Sequence, residues 1–393
     1  MSLGNRLLFL NGAVSHAPAP PVTTLLELHP GAYTTTRTHR SSSEILFWDR
    51  HLQRLTNSFK LLLKSNPKFL FDMPENDNGL FLELSNGTIT WDSKIPCLIN
   101  HSMRKVMPFV LKERESVEEF AITILVSGNS ANLSCFEDGF DETRVSDVLD
   151  VHVHVGTYVP PVFGVGGSGA RLAVVGQGRD MANAKYSGWV RSRKTLEKLR
   201  PPSVTELLLS NDGEHILEGC LTNVFLVCRK ETDDAIDNYE QNDLPTSTSF
   251  EVQTAPLDDG VLPGVVRQVI KEYISLILIL LSITSTCTNL SPESVTVLKT
   301  CISPDSICLK IGIPFREIAP SWSQRELWTE AFITNSLRLI QHVEAVQTPS
   351  TWKCVESKTW EEITWVEKIF EDVPGRITSI IQSREQRDLH ESR

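Results

Sequence analysis

The chain has 393 residues, of which 40% are hydrophobic and 22% are charged. This is the composition of an ordinary globular protein, and it excludes a collagen, a coiled coil or a wholly disordered chain. The 38 lysines and arginines against 49 aspartates and glutamates give a formal net charge of −11, which argues against nucleic acid or an anionic membrane and favours small-molecule partners. The length fits two domains.

The cysteines and the apolar segments indicate the compartment. Eight cysteines are present without a single C-x-x-C pair, which predicts reduced thiols and no zinc site. The apolar run Leu7–Leu10 is too short for the core of a secretory signal. The most apolar stretch, Tyr273–Thr284, has 12 residues, fewer than the ~18 needed to cross a bilayer. We therefore expect a cytoplasmic protein with no membrane span and no metal.

The sequence pattern of the first 160 residues predicts a small α/β domain. Apolar residues recur at helical spacing over Asp49–Leu63, which predicts a helix. Strands are predicted at residues 5–10, 23–28, 43–47, Phe120–Ser127 and Asp150–Val155. The Pro/Gly-rich segment 161–170 predicts a linker that ends this domain.

Residues 171–393 predict a larger second domain. Its expected elements are a helix around Ser187–Leu199, a helix from Pro263, and strands at Arg171–Val175, Glu206–Ser210, Thr222–Cys228, Gly312–Ile318 and Glu330–Thr334. Two segments interrupt the pattern. Residues 230–249 are acidic and polar, which predicts a mobile surface loop. Residues 274–310 form an atypical insert, which we interpret as an error of the gene model, such as a translated intron, against the alternative of a real loop element.

Two local patterns suggest ligands but have simpler interpretations. Gly164–Gly169 satisfies G-x-G-x-x-G, yet prolines precede it and a predicted strand follows, so we favour a flexible linker over a dinucleotide-binding turn. His152 and His154 share one side of a predicted strand, as metal ligands or residues of a substrate cleft would. No third ligand is evident, and we favour a polar strand face.

Four blocks of sequence carry the functional signal. They are Gly31–Thr38 (GAYTTTRT) with Arg50–Leu55 (RHLQRL); Ala184–Val227, in which Lys185 heads a helical stretch and Glu218-Gly219 leads into a strand with Asn223; Gly260–Arg267 (GVLPGVVR); and Glu330–Arg338 (EAFITNSLR). In this order, from about residue 5 to about residue 345, the chain resembles the fold-type IV pyridoxal-phosphate enzymes. These are the class IV aminotransferases, which include branched-chain and D-amino-acid aminotransferases and aminodeoxychorismate lyase.

The resemblance implies an α/β (α+β) fold of two domains, with pyridoxal 5′-phosphate in the cleft between them, and a homodimer. Lys185 would hold the aldehyde cofactor covalently and move the Cα proton. Glu218 would keep the pyridine nitrogen protonated, so that the ring can withdraw electrons. Lys194 and Lys198 are rivals for the role of the lysine, but their charged neighbours favour a solvated face.

The remaining residues of the blocks would bind the phosphate, the ring and the substrate. A phosphate dianion favours a guanidinium and the free amides of a helix start. The resemblance assigns these to Arg54, to Val265 and Val266 after Pro263, and to the final loop with Asn335 and Ser336; it places Leu262 against the ring and Tyr33 and Thr35 towards the substrate. Val266 departs from the family pattern, because many relatives have a threonine hydroxyl there.

The predicted reaction is transamination between an amino acid, of the D- or branched-chain type, and a 2-oxo acid. One alternative is aminodeoxychorismate lyase on the same scaffold, which would use the same lysine and glutamate; the strand Gly31–Thr35 resembles the lyase and the D-amino-acid branches alike. A second alternative is a noncatalytic family member that acts as a binding protein, for which the insert and Val266 are the support.

Overall fold

The structure is a computed structural model that describes residues 6–72, 90–113, 119–132, 146–165, 167–230, 250–272 and 313–391. These residues form two β-sheets, one of six strands and one of nine. Among them, no helix is both long and apolar enough to cross a membrane. The predicted insert at 274–310 lies outside the described residues, as does the predicted loop at 230–249 from residue 231 onward.

The six-stranded sheet belongs to the N-terminal part of the chain. Its strands are β1 (Arg6–Leu10), β2 (Ala13–Val14), β3 (Ala32–His39), β4 (Glu44–Ile45), β5 (Glu119–Gly128) and β6 (Leu149–Tyr158). They run antiparallel in the order β2-β1-β6-β5-β3-β4. The helices of this part are α1 (Val22–Leu28), α2 (Trp48–Ser65) and α3 (Trp91–Lys112), with a 3₁₀ turn at Pro67–Phe69.

The nine-stranded sheet belongs to the C-terminal part. Its strands are β7 (Ala170–Gly176), β8 (Glu206–Leu209), β9 (Glu218–Gly219), β10 (Asn223–Arg229), β11 (Phe250–Thr254), β12 (Phe315–Glu317), β13 (Trp328–Asn335), β14 (Leu339–Pro349) and β15 (Trp365–Ile369). The order is β12-β11-β10-β13-β14-β7-β8-β9, with β15 also paired to β14. Because three residues join β9 at the end of this order to β10 near its other end, the sheet curls back on itself.

Among the described residues, four helices belong to the second sheet's part of the chain. They are α4 (Trp189–Ser192), α5 (Lys194–Glu197), α6 (residues 265–272) and α7 (Arg376–Glu391), with 3₁₀ turns at Leu257–Asp259, Trp322–Leu327, Val355–Ser357 and Trp360–Glu362. The two sheets share no strand, and β6 ends at Tyr158 while β7 begins at Ala170. We therefore propose residues 1–160 and 171–393 as the two domains and residues 161–170 as their linker.

The helix predicted over Asp49–Leu63 is confirmed as α2, and its apolar stripe forms the core of the first domain. Leu55, Phe59 and Leu62 are fully buried against the sheet and α3. The ring centroid of Phe59 lies 4.9 Å from that of Trp91 on α3. The spacing of the stripe, three or four residues apart, is what places these side chains on one face.

Replacing Phe59 by alanine is expected to lower the free energy of unfolding by about 3–5 kcal/mol, because the change removes a buried ring and leaves a cavity. The measurement is denaturant unfolding followed by circular dichroism. Leu61, two residues along the same helix and 41% exposed, is the control, and its replacement by alanine should change stability by less than about 1 kcal/mol. Equal losses in both variants would mean that this stripe does not form the core.

Several predicted elements differ from the structure for physical reasons. Residues 23–28 were expected as a strand but form α1, which buries Leu25 and Leu26 on one side. The strand expected at 43–47 is reduced to the two residues of β4. The helix expected around Ser187–Leu199 is divided into α4 and α5. Helix α3 escaped prediction because Pro96 and Pro108 lie inside it, and proline is unfavourable in a helix interior.

Candidate active site

A cavity of about 270 Å³ lies between the two sheets and is lined by residues of both. Of the residues singled out in the sequence, the cavity lining includes Tyr33, Thr35, Arg54, Lys185, Leu262, Val265, Val266, Asn335 and Ser336. Glu218 lies directly behind this lining, where it contacts Arg179 and Leu262. The fold thus brings together residues that are separated by up to 303 positions in the chain.

Lys185 is placed by backbone contacts with the first domain. Its carbonyl accepts a hydrogen bond from the Tyr33 amide at 3.0 Å, and its own amide donates to the Ser58 hydroxyl at 3.0 Å. The Ser187 amide donates to the Gly31 carbonyl at 3.0 Å. These bonds hold the lysine backbone between β3 and α2. The side chain reaches the cavity, where its Nζ lies 4.7 Å from the centroid of the Tyr33 ring.

The surroundings of Lys185 favour a neutral amine. Burial holds the pKa of Lys185 well below its ordinary value, the charges of Arg54, Arg179 and Arg193 lower it further, and Glu218 opposes them. A lysine that loses its proton more easily is a better nucleophile and a better base near neutral pH. The rival lysines are in a different environment: Lys194 is 63% exposed and pairs with Glu27, and Lys198 is exposed.

Glu218 is almost fully buried and held on both carboxylate oxygens. Its Oε1 lies 2.7 Å from Nη2 and 2.8 Å from Nε of Arg179. Its Oε2 accepts hydrogen bonds from the Leu262 amide at 3.1 Å and from Asn223 Nδ2 at 3.3 Å. Burial raises the pKa of Glu218 above its ordinary value, and the charge of Arg179 and the hydrogen bond from the Leu262 amide offset only part of this. The donated hydrogen bonds stabilise the ionised carboxylate and fix its orientation.

Arg179 was not found from the sequence. Its guanidinium carbon also lies 5.1 Å from the centroid of the Trp189 ring, so the side chain is held by both an ion pair and a cation–π contact. The available signal was an arginine six residues before Lys185, in a stretch otherwise rich in small residues. That spacing alone does not show that the guanidinium turns back to Glu218.

Arg54 is held by a polar network between α2 and β3. Its Nη2 donates to the Thr34 hydroxyl at 2.7 Å, and the same hydroxyl lies 2.7 Å from Nδ1 of His51. Because arginine can only donate, the hydroxyl proton goes to His51 Nδ1, and the ring carries its own proton on Nε2. Burial, with the charges of Arg54 and Lys185, holds the pKa of His51 well below its ordinary value, so the ring is neutral.

The charge of Arg54 is retained. Burial lowers its pKa to about 10, which still leaves the guanidinium protonated at neutral pH. Its Nε has no hydrogen-bond partner among the described residues, although it is buried. A buried donor without a partner is costly, which indicates that this end of the cavity is built for a ligand with acceptor oxygens.

The start of α6 lines the same cavity as Arg54. The helix begins at residue 265, so the amides of its first turn have no partner within the helix. Gly264 precedes it, and a Cβ there would lie 2.0 Å from Asn223 Oδ1, so only glycine fits. The Thr334 hydroxyl is buried, lines the cavity and has no partner in the described part of the chain.

The two predicted residues of the final loop, Asn335 and Ser336, have different roles in the structure. Asn335 Oδ1 accepts hydrogen bonds from the amides of Leu337 at 3.1 Å and Arg338 at 2.9 Å, so this oxygen shapes the turn between β13 and β14. Ser336 is 8% exposed and lines the cavity. The opposite wall is formed by β3, where Thr35 Oγ1 lies 3.0 Å from Thr123 Oγ1 on β5.

The two alternative ligand patterns lie elsewhere. His154 Nε2 lies 2.9 Å from the Pro20 carbonyl, and the His152 ring lies 4.4 Å from the ring of His29, so they contact the two ends of α1. In the described ranges, no three metal-ligating side chains form a group. The glycine-rich segment 164–169 is followed by strand β7, whereas a dinucleotide-binding turn would be followed by a helix.

Three solved structures illustrate what the fold is similar to. The branched-chain amino acid aminotransferase of Escherichia coli matches with a TM-score of 0.51 and 16% identity, over 97% of this chain and 93% of that one. A hypothetical aminotransferase of Mycobacterium tuberculosis, in its pyridoxal-phosphate-bound form, matches with a TM-score of 0.52 and 13% identity, over 99% and 100%. A structure assigned as a 4-amino-4-deoxychorismate lyase of Legionella pneumophila matches with a TM-score of 0.50 and 15% identity, over 95% and 97%.

At these identities the likeness shows the fold alone, and it confirms the predicted two-domain fold of type IV. No curated protein sequence matches the chain. The model of the family described as amino-transferase class IV matches residues 31–279, which is more than half of the chain and includes Arg54, Lys185 and Glu218. The chain therefore belongs to the class IV aminotransferases and is an enzyme of that family.

Proposed function

We propose that the chain is a pyridoxal-phosphate-dependent aminotransferase that transfers an amino group between an amino acid, of the D- or branched-chain type, and a 2-oxo acid. The observation that carries this proposal is the place of Lys185: a buried amine that lines the cavity together with Arg54 and whose pKa is influenced by the charges of Arg54 and Glu218. A lysine, an anion-binding end and a fixed carboxylate are what this cofactor needs.

The residues at the phosphate end fit the cofactor. Arg54 Nε and the Thr334 hydroxyl are buried and have no partner among the described residues, and both would be satisfied by phosphate oxygens. The first amides of α6, at Val265 and Val266, would donate to the same group. Val266 brings no hydroxyl, but its amide remains, and the Thr334 hydroxyl offers another donor. Leu262, whose amide binds Glu218, would pack against the ring.

The reaction would depend on two of the chain's own groups. Lys185 Nζ would hold the cofactor until the amino acid displaces it, and the freed amine would then carry the proton from the substrate Cα to the cofactor carbon. Glu218 would place its negative charge at the ring nitrogen, held in position by Arg179, Asn223 and the Leu262 amide. When bound, the cofactor supplies an electron-withdrawing ring, and this is why the carboxylate must stay ionised.

Further parts of the proposal concern partners and location. Tyr33 and Thr35 would face the substrate, since both line the cavity on the β3 side. We also propose a homodimer, which the resemblance of the sequence implies, and a cytoplasmic location, for which the cysteine spacing gives the support.

A lyase that acts on aminodeoxychorismate is the second candidate. The strand Gly31–Thr35 resembles that of the lyase and of the D-amino-acid aminotransferases alike, and the fold is similar to that of the Legionella pneumophila structure. Both reactions would use Lys185 and Glu218. They differ in their products, because the lyase releases pyruvate without any 2-oxo acid acceptor.

The decisive experiment incubates the cofactor-loaded protein with L- and D-amino acids in the presence of 2-oxo acids, and separately with aminodeoxychorismate. Transfer of the amino group to an oxo acid is the expected result. Pyruvate release from aminodeoxychorismate alone would establish the lyase instead. If the protein binds the cofactor but turns over none of these compounds, the noncatalytic alternative is correct.

Borohydride reduction of the loaded protein, followed by peptide mapping, is expected to find the cofactor on Lys185. The reason is its lowered pKa, since the neutral amine is the form that attacks an aldehyde. Lys194, exposed and paired with Glu27, serves as the internal comparison. Recovery of the adduct on Lys194 would overturn the assignment.

A further inference from the structure

Arg193 is a second arginine that the sequence analysis did not single out. It lies between α4 and α5 and lines the same cavity as Lys185. The segment around it is held to the end of α1: Arg191 Nε donates to the Glu27 carbonyl at 3.0 Å, and Lys194 pairs with the Glu27 carboxylate at 2.7 Å. These contacts hold the turn so that Arg193, between the two, faces the cavity.

The other arginines that line the cavity already have partners. Arg54 bonds to Thr34, and Arg179 is paired with Glu218. Arg267 donates to the Ala255 carbonyl and to Glu317, each at 2.9 Å. Arg179 and Arg267 therefore stabilise the fold through these contacts, and Arg54 is assigned to the phosphate of the cofactor.

Arg193 differs from these three. Its guanidinium forms no hydrogen bond or ion pair with any described residue, and no aspartate or glutamate of the described part lines the cavity. The charge of Arg193 lowers the pKa of the buried Glu206, but the two side chains form no ion pair. Glu206 instead accepts a hydrogen bond from the Leu221 amide at 2.9 Å. A guanidinium that faces a cavity without a partner is suited to an anionic ligand, and its planar fork matches a carboxylate.

Next to Arg193 the cavity is apolar. Val190, three residues earlier, is buried and lines it, as do Val22 and Leu26 of α1 and the half-exposed Leu221. A carboxylate bound by Arg193 would have this apolar wall beside it, where an aliphatic side chain gains by leaving water. A second carboxylate would find no further unpaired cation among the described residues of the cavity.

We propose that Arg193 binds the α-carboxylate of the substrate and that the apolar wall of Val22, Leu26, Val190 and Leu221 receives its side chain, so that the amino donor is an amino acid with an apolar side chain. This inference rests on the proposed aminotransferase function, which supplies a substrate with an α-carboxylate. Arg193 thus contacts the substrate directly and orients its Cα–H bond towards Lys185.

The test is a binding measurement on the pyridoxal-phosphate-loaded protein by titration calorimetry. The probes are 4-methylpentanoate, its neutral amide and the dicarboxylate glutarate, none of which has an amino group. Arg193→Gln should weaken binding of 4-methylpentanoate about ten- to a hundredfold, because a charge-assisted hydrogen bond is lost. Binding of the amide and of the cofactor should not change, and glutarate should bind no more tightly than 4-methylpentanoate to the unmodified protein.

Two further variants test whether a loss of binding comes from the shape of the guanidinium, from its charge or from a general effect on the fold. Arg193→Lys keeps the charge but not the planar fork, and should give an intermediate loss. Arg200→Gln is the matched control, because Arg200 is 44% exposed and pairs with Glu197 outside the cavity lining; it should bind all three probes as the unmodified protein does. Unchanged binding of 4-methylpentanoate to Arg193→Gln overturns the proposal, and so does a loss restricted to glutarate or an equal loss for the amide.

The failure of this inference is distinguishable from that of the proposed function, because the binding assay does not need turnover. If amino acids are not transaminated and yet Arg193→Gln loses affinity for 4-methylpentanoate alone, the carboxylate site stands and the reaction is wrong. If transamination occurs and Arg193→Gln binds 4-methylpentanoate normally, the reaction stands and the carboxylate site is wrong.

Discussion

Replacing Lys185 by alanine is expected to lower the rate of transamination by about a thousandfold or more, because one side chain both holds the cofactor and moves the Cα proton. The fold should survive the change. The contacts that place residue 185 are made by its backbone, to Tyr33 and Ser58, and alanine keeps both of them. The measurement is the steady-state rate with the best amino donor, together with the visible absorption of the loaded protein.

The control for this prediction is Lys198→Ala. Lys198 is exposed, so its loss should leave the rate within about twofold of the unmodified protein. A Lys185→Ala variant that retained substantial turnover, with circular dichroism unchanged, would show that another base carries the proton.

The lowered pKa of Lys185 gives a pH dependence of definite sign. An ordinary lysine is protonated, and thus unreactive towards an aldehyde, at pH values where the Lys185 amine has already lost its proton. Attachment of the cofactor is therefore expected to fall at a lower pH than it does for an ordinary lysine, as the pH drops through the lowered pKa. The yield of borohydride-trapped adduct against pH, compared with that of free N-acetyl-lysine, measures the difference.

The sequence predicted the residues of the site better than their contacts. Lys185, Arg54 and Leu262 could be named because short motifs preserve the residue types that the chemistry needs, and all three line one cavity. Arg179 and Arg193 could not be named, because their roles depend on the folded chain. Arg179 is brought to Glu218, and Arg193 lines the cavity with no partner for its guanidinium in the described part of the chain. An arginine in a basic stretch has the same appearance in sequence whether it faces solvent or a cavity.

The hydrogen bonds among Thr34, His51 and Arg54 could likewise be predicted only in part from the sequence. Residues 51 and 54 are one helical turn apart, so their proximity follows from helix geometry. The participation of Thr34 depends on the register of β3, which alternates Tyr33 and Thr35 towards the cavity with Thr34 towards α2. Sequence periodicity gives the alternation but not which face meets the helix. Residues 23–28 were predicted as a strand because three leucines within six residues fit either a short strand or a short helix.

Substitution of Arg54 and of Glu218 is expected to damage the enzyme in two different ways. Arg54→Ala should weaken cofactor binding by about ten- to a hundredfold, since a charge-assisted contact to the phosphate is lost. Arg50→Ala is the matched control, because Arg50 lies on the same helix but pairs with Glu272 at 2.7 Å on the surface. The measurement is cofactor affinity by fluorescence titration, and the Arg54 variant should recover most of its turnover at saturating cofactor.

Glu218→Ala should instead retain the cofactor and slow removal of the Cα proton by about a hundredfold or more, because the ring loses the charge that stabilises its protonated nitrogen. The alanine variant also leaves Arg179 buried without its partner, which costs about 3–5 kcal/mol of stability. Glu218→Gln keeps the shape and accepts from Arg179 while removing the charge, so it separates the catalytic effect from the loss of stability. A substrate deuterated at Cα should show a larger isotope effect on the rate in Glu218→Gln, since proton removal becomes limiting. If the Arg54 and Glu218 variants lose cofactor equally, and the protein that stays loaded turns over normally, the two roles assigned here are wrong.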